Sequence, residues 1–268
     1  MRTIVEIARA VFKESVRDRV PYSMVIFAAL LMAASYLISQ LTAGQDLKII
    51  KDLGLAAILL FGLLIAVFIG IGLVAKEVER RSIFAILSKP VTRGQLILGK
   101  YSGLVMTLVV NIALMTVAYY GALLFMDVTT PAETKAGWLA PAMDPRLMIA
   151  IALIVGELML VTAVALFFST FSSPLLSALL TLGLWVAGHF NSDLRNLENV
   201  VDSRVIGWMG RGLYYLLPNL APFDVKAEVV YGQPVASSHV ILTLLYGAVY
   251  VSVLLLAANA IFRKRDFT

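Results

Sequence analysis

The chain has 268 residues, of which 60% are hydrophobic and 15% charged, with a mean hydropathy of +0.89; soluble domains carry about a quarter of their residues as charges. That composition excludes an ordinary water-soluble domain and leaves no stretch for a large one. The net charge of +5 fits contact with anionic lipid and a cytoplasmic partner; no basic patch interleaved with stacking aromatics points to nucleic acid, and with no cysteine disulfide and thiol chemistry are absent.

In chain order, residues 3–17 place Ile4, Ile7, Ala8 and Val11 on one helical face and Glu6, Arg9, Lys13 and Arg17 on the other, which predicts an interfacial amphipathic helix within 1–19. Six apolar runs follow, at 20–41, 53–75, 101–126, 147–171, 174–190 and 240–262. A hydrocarbon core of about 30 Å needs about 20 helical residues, so the prediction is an all-α polytopic protein with six transmembrane helices. The runs lack the ten-residue alternation of a membrane β-barrel. The first is too long for the h-region of a signal peptide and is read as a retained helix. The fifth is short and carries Ser177, Thr181 and His189, which suits a helix that is tilted, buried among the others or not fully spanning.

Basic residues number five in 1–20, six in 76–100 and three in 263–268, against two in 42–52, two in 127–146 and four in 191–237. By the positive-inside rule both termini and the 76–100 loop are predicted cytoplasmic. That loop begins with a charged run, continues with Ile83, Phe84, Ile86 and Leu87 on one apolar face, and stops at Ser88-Lys89-Pro90. Thr92 or a neighbour is expected to cap a second short helix leading to the third run. The outer loop at 127–146 is expected to be mostly irregular, and the apolar, Gly-rich 205–217 to be interfacial or re-entrant.

The stretch Gly94-Gln-Leu-Ile-Leu-Gly99-Lys100-Tyr101 has the spacing of a phosphate-binding loop but fails it. Tyr101 stands where a magnesium-binding hydroxyl is needed, and bulky apolar residues fill the cradle. Gly99 and Gly103 are better read as a small-xxx-small pair for close helix packing. Glu157 is the one formal charge well inside any run, and a carboxylate there costs at least about 2.5 kcal/mol unless neutralised, paired or hydrated. It is either a functional residue or a packing residue bonded across the bundle to a group such as Asn111 or a threonine. His189 and His239 are read as boundary residues, without the acid or Cys cluster of a metal site.

The loop Glu77-Val-Glu79-Arg80-Arg81, Ile83–Leu87, Ser88-Lys89-Pro90 and Gly99-Lys100 resembles the type 2 ABC-transporter permease family. So do Phe168-Ser-Thr-Phe-Ser-Ser-Pro174, Tyr214-Tyr-Leu-Leu-Pro-Asn-Leu220 and Phe262-Arg-Lys-Arg-Asp-Phe267. The resemblance implies one permease domain over 1–268, comprising the interfacial helix (1–19), spans 1–2 (20–75), a cytoplasmic coupling loop (76–100), spans 3–5 (101–190), an outer segment (191–239), span 6 (240–262) and a tail (263–268). It implies a prokaryotic cytoplasmic (inner) membrane, a second permease subunit in a homo- or heterodimer, and a separate ATP-binding subunit holding ATP and magnesium. No catalytic residue, metal or cofactor is then expected on this chain. The subunit would be contacted by Glu77, Glu79, Arg80, Arg81, Phe84, Leu87, Lys89 and Arg93, supported by Arg9 and Lys13. A partner-free channel or secondary transporter needs more mid-membrane polar groups than Glu157 and Asn111. A lipid-modifying enzyme lacks its acid or His cluster, and mechanical or assembly work by an ABC-type complex stays open.

Overall fold

A computed structural model describes residues 2–18, 26–27, 30, 46–79, 92–191, 212, 214 and 217–264. Among them every regular element is helical: α1 (Arg2–Asp18), α2 (Asp46–Glu79), α3 (Arg93–Thr129), α4 (Ala132–Lys135), α5 (Leu147–Ser169), α6 (Pro174–His189), a 3-10 turn (Ala221–Phe223), α7 (Lys226–Val230) and α8 (Ser237–Lys264). Four helices are long and apolar enough to cross a membrane, α2, α3, α5 and α8, and α6 is a shorter apolar helix. Of the first predicted span only Ile26, Phe27 and Leu30 are described; Phe27 is buried and its ring meets Phe61 of α2 edge-on, centroids 5.7 Å apart. The rest of that span, residues 80–91 of the 76–100 loop and most of 205–217 lie outside the described residues.

The long helices outrun the apolar runs that announce them. α2 begins at Asp46 and takes Lys48, Lys51 and Asp52 into its first turns. α3 has 37 residues, about 55 Å at 1.5 Å per residue. Thr92 is its N-cap, in a reciprocal capping box with Gln95, as expected of a threonine placed there. The separate short helix expected before the third span is corrected by this continuity: from Arg93 onward no proline interrupts the ladder, so the capped helix runs unbroken into the span.

α5 is the central helix. It is apolar all round and buried over most of its length, the pattern of a helix surrounded by others, and it packs against α2, α3, α6 and α8. Tyr101 Oη donates to Met159 O at 3.2 Å and Tyr120 Oη to Asp144 O at 3.2 Å, so α3 and α5 are antiparallel. Tyr119, fully buried, donates to Lys51 O at 3.0 Å with its ring over Gly54, and Gly62 meets Leu158; α2 therefore runs with α5. Asn259 of α8 lies beside Gly94 at the start of α3. One face of the bundle thus gathers the end of α2, the start of α3, the 170–173 turn and the end of α8. The opposite face carries 130–146 and the start of α8.

α1 belongs to the first of these faces. Val11 and Ser15 are buried and Glu6, Arg9, Lys13 and Glu14 exposed, the division its spacing predicts. It docks on the first turns of α3, where the small-xxx-small pair acts as anticipated. A Cβ on Gly99 would stand 2.8 Å from Ile7 Cβ, and one on Gly103 would stand 2.7 Å from Ala8 O and Val11 Cβ. These distances permit only glycine without displacement. In a chain without native thiols, a Ser15→Cys probe reports this contact: Gly103→Val, at an overpacking cost of about 1–3 kcal/mol, is expected to raise its maleimide labelling about tenfold, and an unchanged rate would contradict the docking.

Candidate functional site

α6 has 16 residues, about 24 Å of helix, too little for a hydrocarbon core of about 30 Å. Pro174 starts it at N1 after the Ser173 cap position. Its polar residues turn inward: Ser177 and Thr181 are fully buried, with Ser177 Oγ 2.7 Å from Ser172 Oγ and Thr181 Oγ1 donating to Ser177 O at 2.6 Å. Leu175, Leu179 and Val186 are exposed. The fifth run is therefore the short, partly enclosed helix its composition suggests.

Because α6 is short, its last turn arrives beside Glu157, ten residues into α5 and about 15 Å along it. Glu157 is 1% exposed. Trp185 Nε1 donates to its Oε1 at 2.7 Å, and His189 Nε2 is 3.5 Å from the same oxygen. His189 Nδ1 is 3.0 Å from Trp185 O, and the two rings meet edge-on with centroids 4.8 Å apart. Trp185 and His189 are an i, i+4 pair on one face of α6, so the carboxylate is clasped by one turn of a neighbouring helix. Lys226 and Asp224, paired with each other at 3.4 Å, act on it at longer range, the lysine attractively and the aspartate repulsively.

Residues 218–223 lie inside the bundle beside the end of α6. Leu220 N donates to Gly188 O at 3.0 Å, Asn219 N to the Tyr246 hydroxyl at 2.8 Å and Ala221 N to Asn219 Oδ1 at 3.2 Å; His239 Nε2 is 2.8 Å from Pro222 O. Irregular backbone at such depth requires partners of this kind. Three glycines from three helices make the space. A Cβ on Gly188 would be 2.8 Å from Leu220, one on Gly156 3.3 Å from the Phe223 ring, and one on Gly247 3.1 Å from it. Phe223, 1% exposed, thus reaches a level nine or ten residues into α5 and α8.

The predicted packing partners of Glu157 are corrected here. Asn111 is buried but its Nδ2 donates to Thr107 O of its own helix at 2.7 Å, and its Oδ1 has no partner. α3 presents it elsewhere, and no hydrogen bond joins it to Glu157. The reading of His189 as a boundary residue without an acid is likewise overturned, since a 16-residue α6 brings its end down to the carboxylate. Among the predicted docking residues, Arg9 and Lys13 are exposed on α1, Glu77 and Glu79 lie in the last turn of α2, and Arg93 opens α3. Arg80, Arg81, Phe84, Leu87 and Lys89 lie outside the described residues. Residues 94–101 are helical, with Lys100 buried, which no phosphate cradle is. Among the described residues no group of three His, Asp or Glu is placed to hold a metal.

A bundle of long apolar helices around a buried, clasped carboxylate, with an amphipathic helix docked on one face, defines an integral membrane protein. The family model described as ABC-2 family transporter protein matches residues 5–194, and the chain belongs to that family. No curated protein matches it closely enough to add a relative.

The clasp is tested by stability. Glu157→Gln keeps an acceptor for Trp185 and is expected to cost about 0.5–1 kcal/mol; Glu157→Ala strands the buried indole N–H and is expected to cost about 1–3 kcal/mol. Thermal unfolding in detergent reads the difference, and two variants as stable as the parent would show that the contact carries no stability.

Proposed function

We propose that this chain is the permease subunit of an ABC transporter, moving a substrate across the membrane, in the export direction, on ATP hydrolysed by a separate subunit. The observation that carries the reading is the family match over 5–194. The docked α1 supports it. Its charged face, with Arg9 and Lys13 exposed, lies beside the start of α3, on the same bundle face as the two ends of the 80–91 connection. That face is then cytoplasmic, in agreement with the fourteen basic residues that 1–20, 76–100 and 263–268 contribute out of 22.

On this reading the 76–100 segment receives the ATP-binding subunit: its apolar ridge fills a groove and Glu77, Glu79, Arg80, Arg81, Lys89 and Arg93 set register. ATP-driven closure of the partner pushes this face, and two permease subunits alternate their access. ATP and magnesium belong to the partner, and this chain does no covalent chemistry. Glu157 is a positioning residue. By holding α6 and the returning segment to α5, it makes a push on one face move the opposite one.

Reversing Arg80 and Arg81 to glutamate is expected to remove charge pairs worth about 2 kcal/mol or more. Purified with its partners and reconstituted, the variant should lose transport while the ATPase subunit keeps hydrolysing ATP or dissociates. Unchanged assembly and coupling would contradict the assignment, and a parent chain that purifies without any ATPase would favour a partner-free transporter.

A further inference from the structure

On the face opposite α1, a cavity of about 210 Å³ lies between the first turns of α2, the 137–140 turn and α7. Lys48 and Lys51, one turn apart on α2, line it together with Trp138 and the apolar Leu47 and Val230. Lys51 is 1% exposed, an unusual position for an ammonium group. One of its three N–H donors goes to Pro141 O at 2.7 Å. Lys48 bonds the Tyr231 hydroxyl and lies 3.8 Å from the centroid of that ring. Arg146, close by, bonds Gly232 O.

These three cations are held by carbonyls and an aromatic ring, and among the described residues none closes an ion pair with a carboxylate. Asp52 is exposed on the next position of α2, and Asp144 attracts Lys51 electrostatically and accepts from Arg146 N at 2.9 Å. Among the described residues Lys48 and Lys51 thus line the cavity with no carboxylate closing on either ammonium group, each fixed by its bond to Tyr231 or Pro141 before any ligand arrives. Pre-placed charge of this kind binds an anion without the cost of ordering long side chains.

The size limits the ligand. Pockets that engulf a whole small molecule start at about 300 Å³, so this one takes a headgroup and leaves any chain outside.

We propose that this cavity binds a phosphate-class anion, engaged by Lys48 and Lys51 and walled by Trp138, as the headgroup of an anionic amphiphile in the adjacent leaflet or as free phosphate. The proposal rests on the chain's being a membrane protein and is independent of ATP coupling. Native mass spectrometry of the full chain with whatever partners co-purify, titrated with phosphatidylglycerol and with phosphatidylcholine, tests it beside calorimetry with inorganic phosphate. For a headgroup site, one phosphatidylglycerol is retained per chain in preference to phosphatidylcholine; Lys48→Arg keeps it and Lys48→Glu weakens it about tenfold or more. Saturable inorganic phosphate binding that Lys48→Glu abolishes, without lipid preference, assigns the same cavity to free phosphate. Lys48 sits half-exposed in the first turn of α2, and Lys48→Gln is the milder variant should the reversal misfold. Binding of neither probe, or binding unchanged in both Lys48→Glu and Lys48→Gln, overturns the proposal.

Discussion

A carboxylate in the middle of an apolar helix must find partners or cost the fold several kcal/mol, and the arrangement of this bundle's second half follows from how Glu157 finds them. Trp185 and His189 reach it only from the last turn of a neighbouring helix. α6 can present that turn only by stopping where Glu157 stands, short of a full crossing. Pro218–Val230 packs inside the bundle beside that turn, where its backbone groups find Gly188, Tyr246 and His239 and its bulk is admitted by Gly156, Gly188 and Gly247. Shortness of α6, re-entry of the backbone and absence of side chains at three helix positions are thus linked to one buried acid.

The two faces of the bundle are built differently. On one, α1 is seated by close backbone approach at Gly99 and Gly103, a contact that depends on surface fit and leaves the charged side of α1 outward. On the other, 130–146 and 217–236 pack around cationic side chains, with Lys51 bonded to Pro141 O and Arg146 to Gly232 O. The faces are connected through α5, whose Glu157 holds α6 and whose early residues meet the returning segment. A load applied near α1 has a continuous packed route to the far side.

Much of this was legible in the sequence where a local rule governs it. Apolar run length announced the four long helices α2, α3, α5 and α8, the 3.6-residue spacing of Ile4, Ile7 and Val11 announced α1, Thr92 with Gln95 announced a helix start, and Gly99 with Gly103 announced a close contact. Glu157 stood out by charge alone. Its partners did not, because which face of α6 meets which level of α5 is a tertiary fact. The signal that could have found them is the i, i+4 spacing of Trp185 and His189 on a 16-residue helix beside a run with a single acid. The extension of α3 back to Arg93 was missed for the opposite reason: polar residues there end the apolar run but not the helical ladder, and the two boundaries were equated. Asn111 was matched to Glu157 by polarity, while its amide nitrogen finds the carbonyl of Thr107 one turn away in its own helix.

The central claim is that the segment after α6 is held inside the bundle by the turn that clasps Glu157. The chain has no native cysteine, so single thiols report on it cleanly in reconstituted membranes. Val225, 5% exposed within the returning segment, and Gln233, exposed beyond it, are the pair to compare with a membrane-impermeant maleimide. The account expects Val225→Cys to react at least about tenfold more slowly than Gln233→Cys, and to lose that protection when Glu157→Ala is added. Equal labelling of the two thiols in the parent background would contradict it.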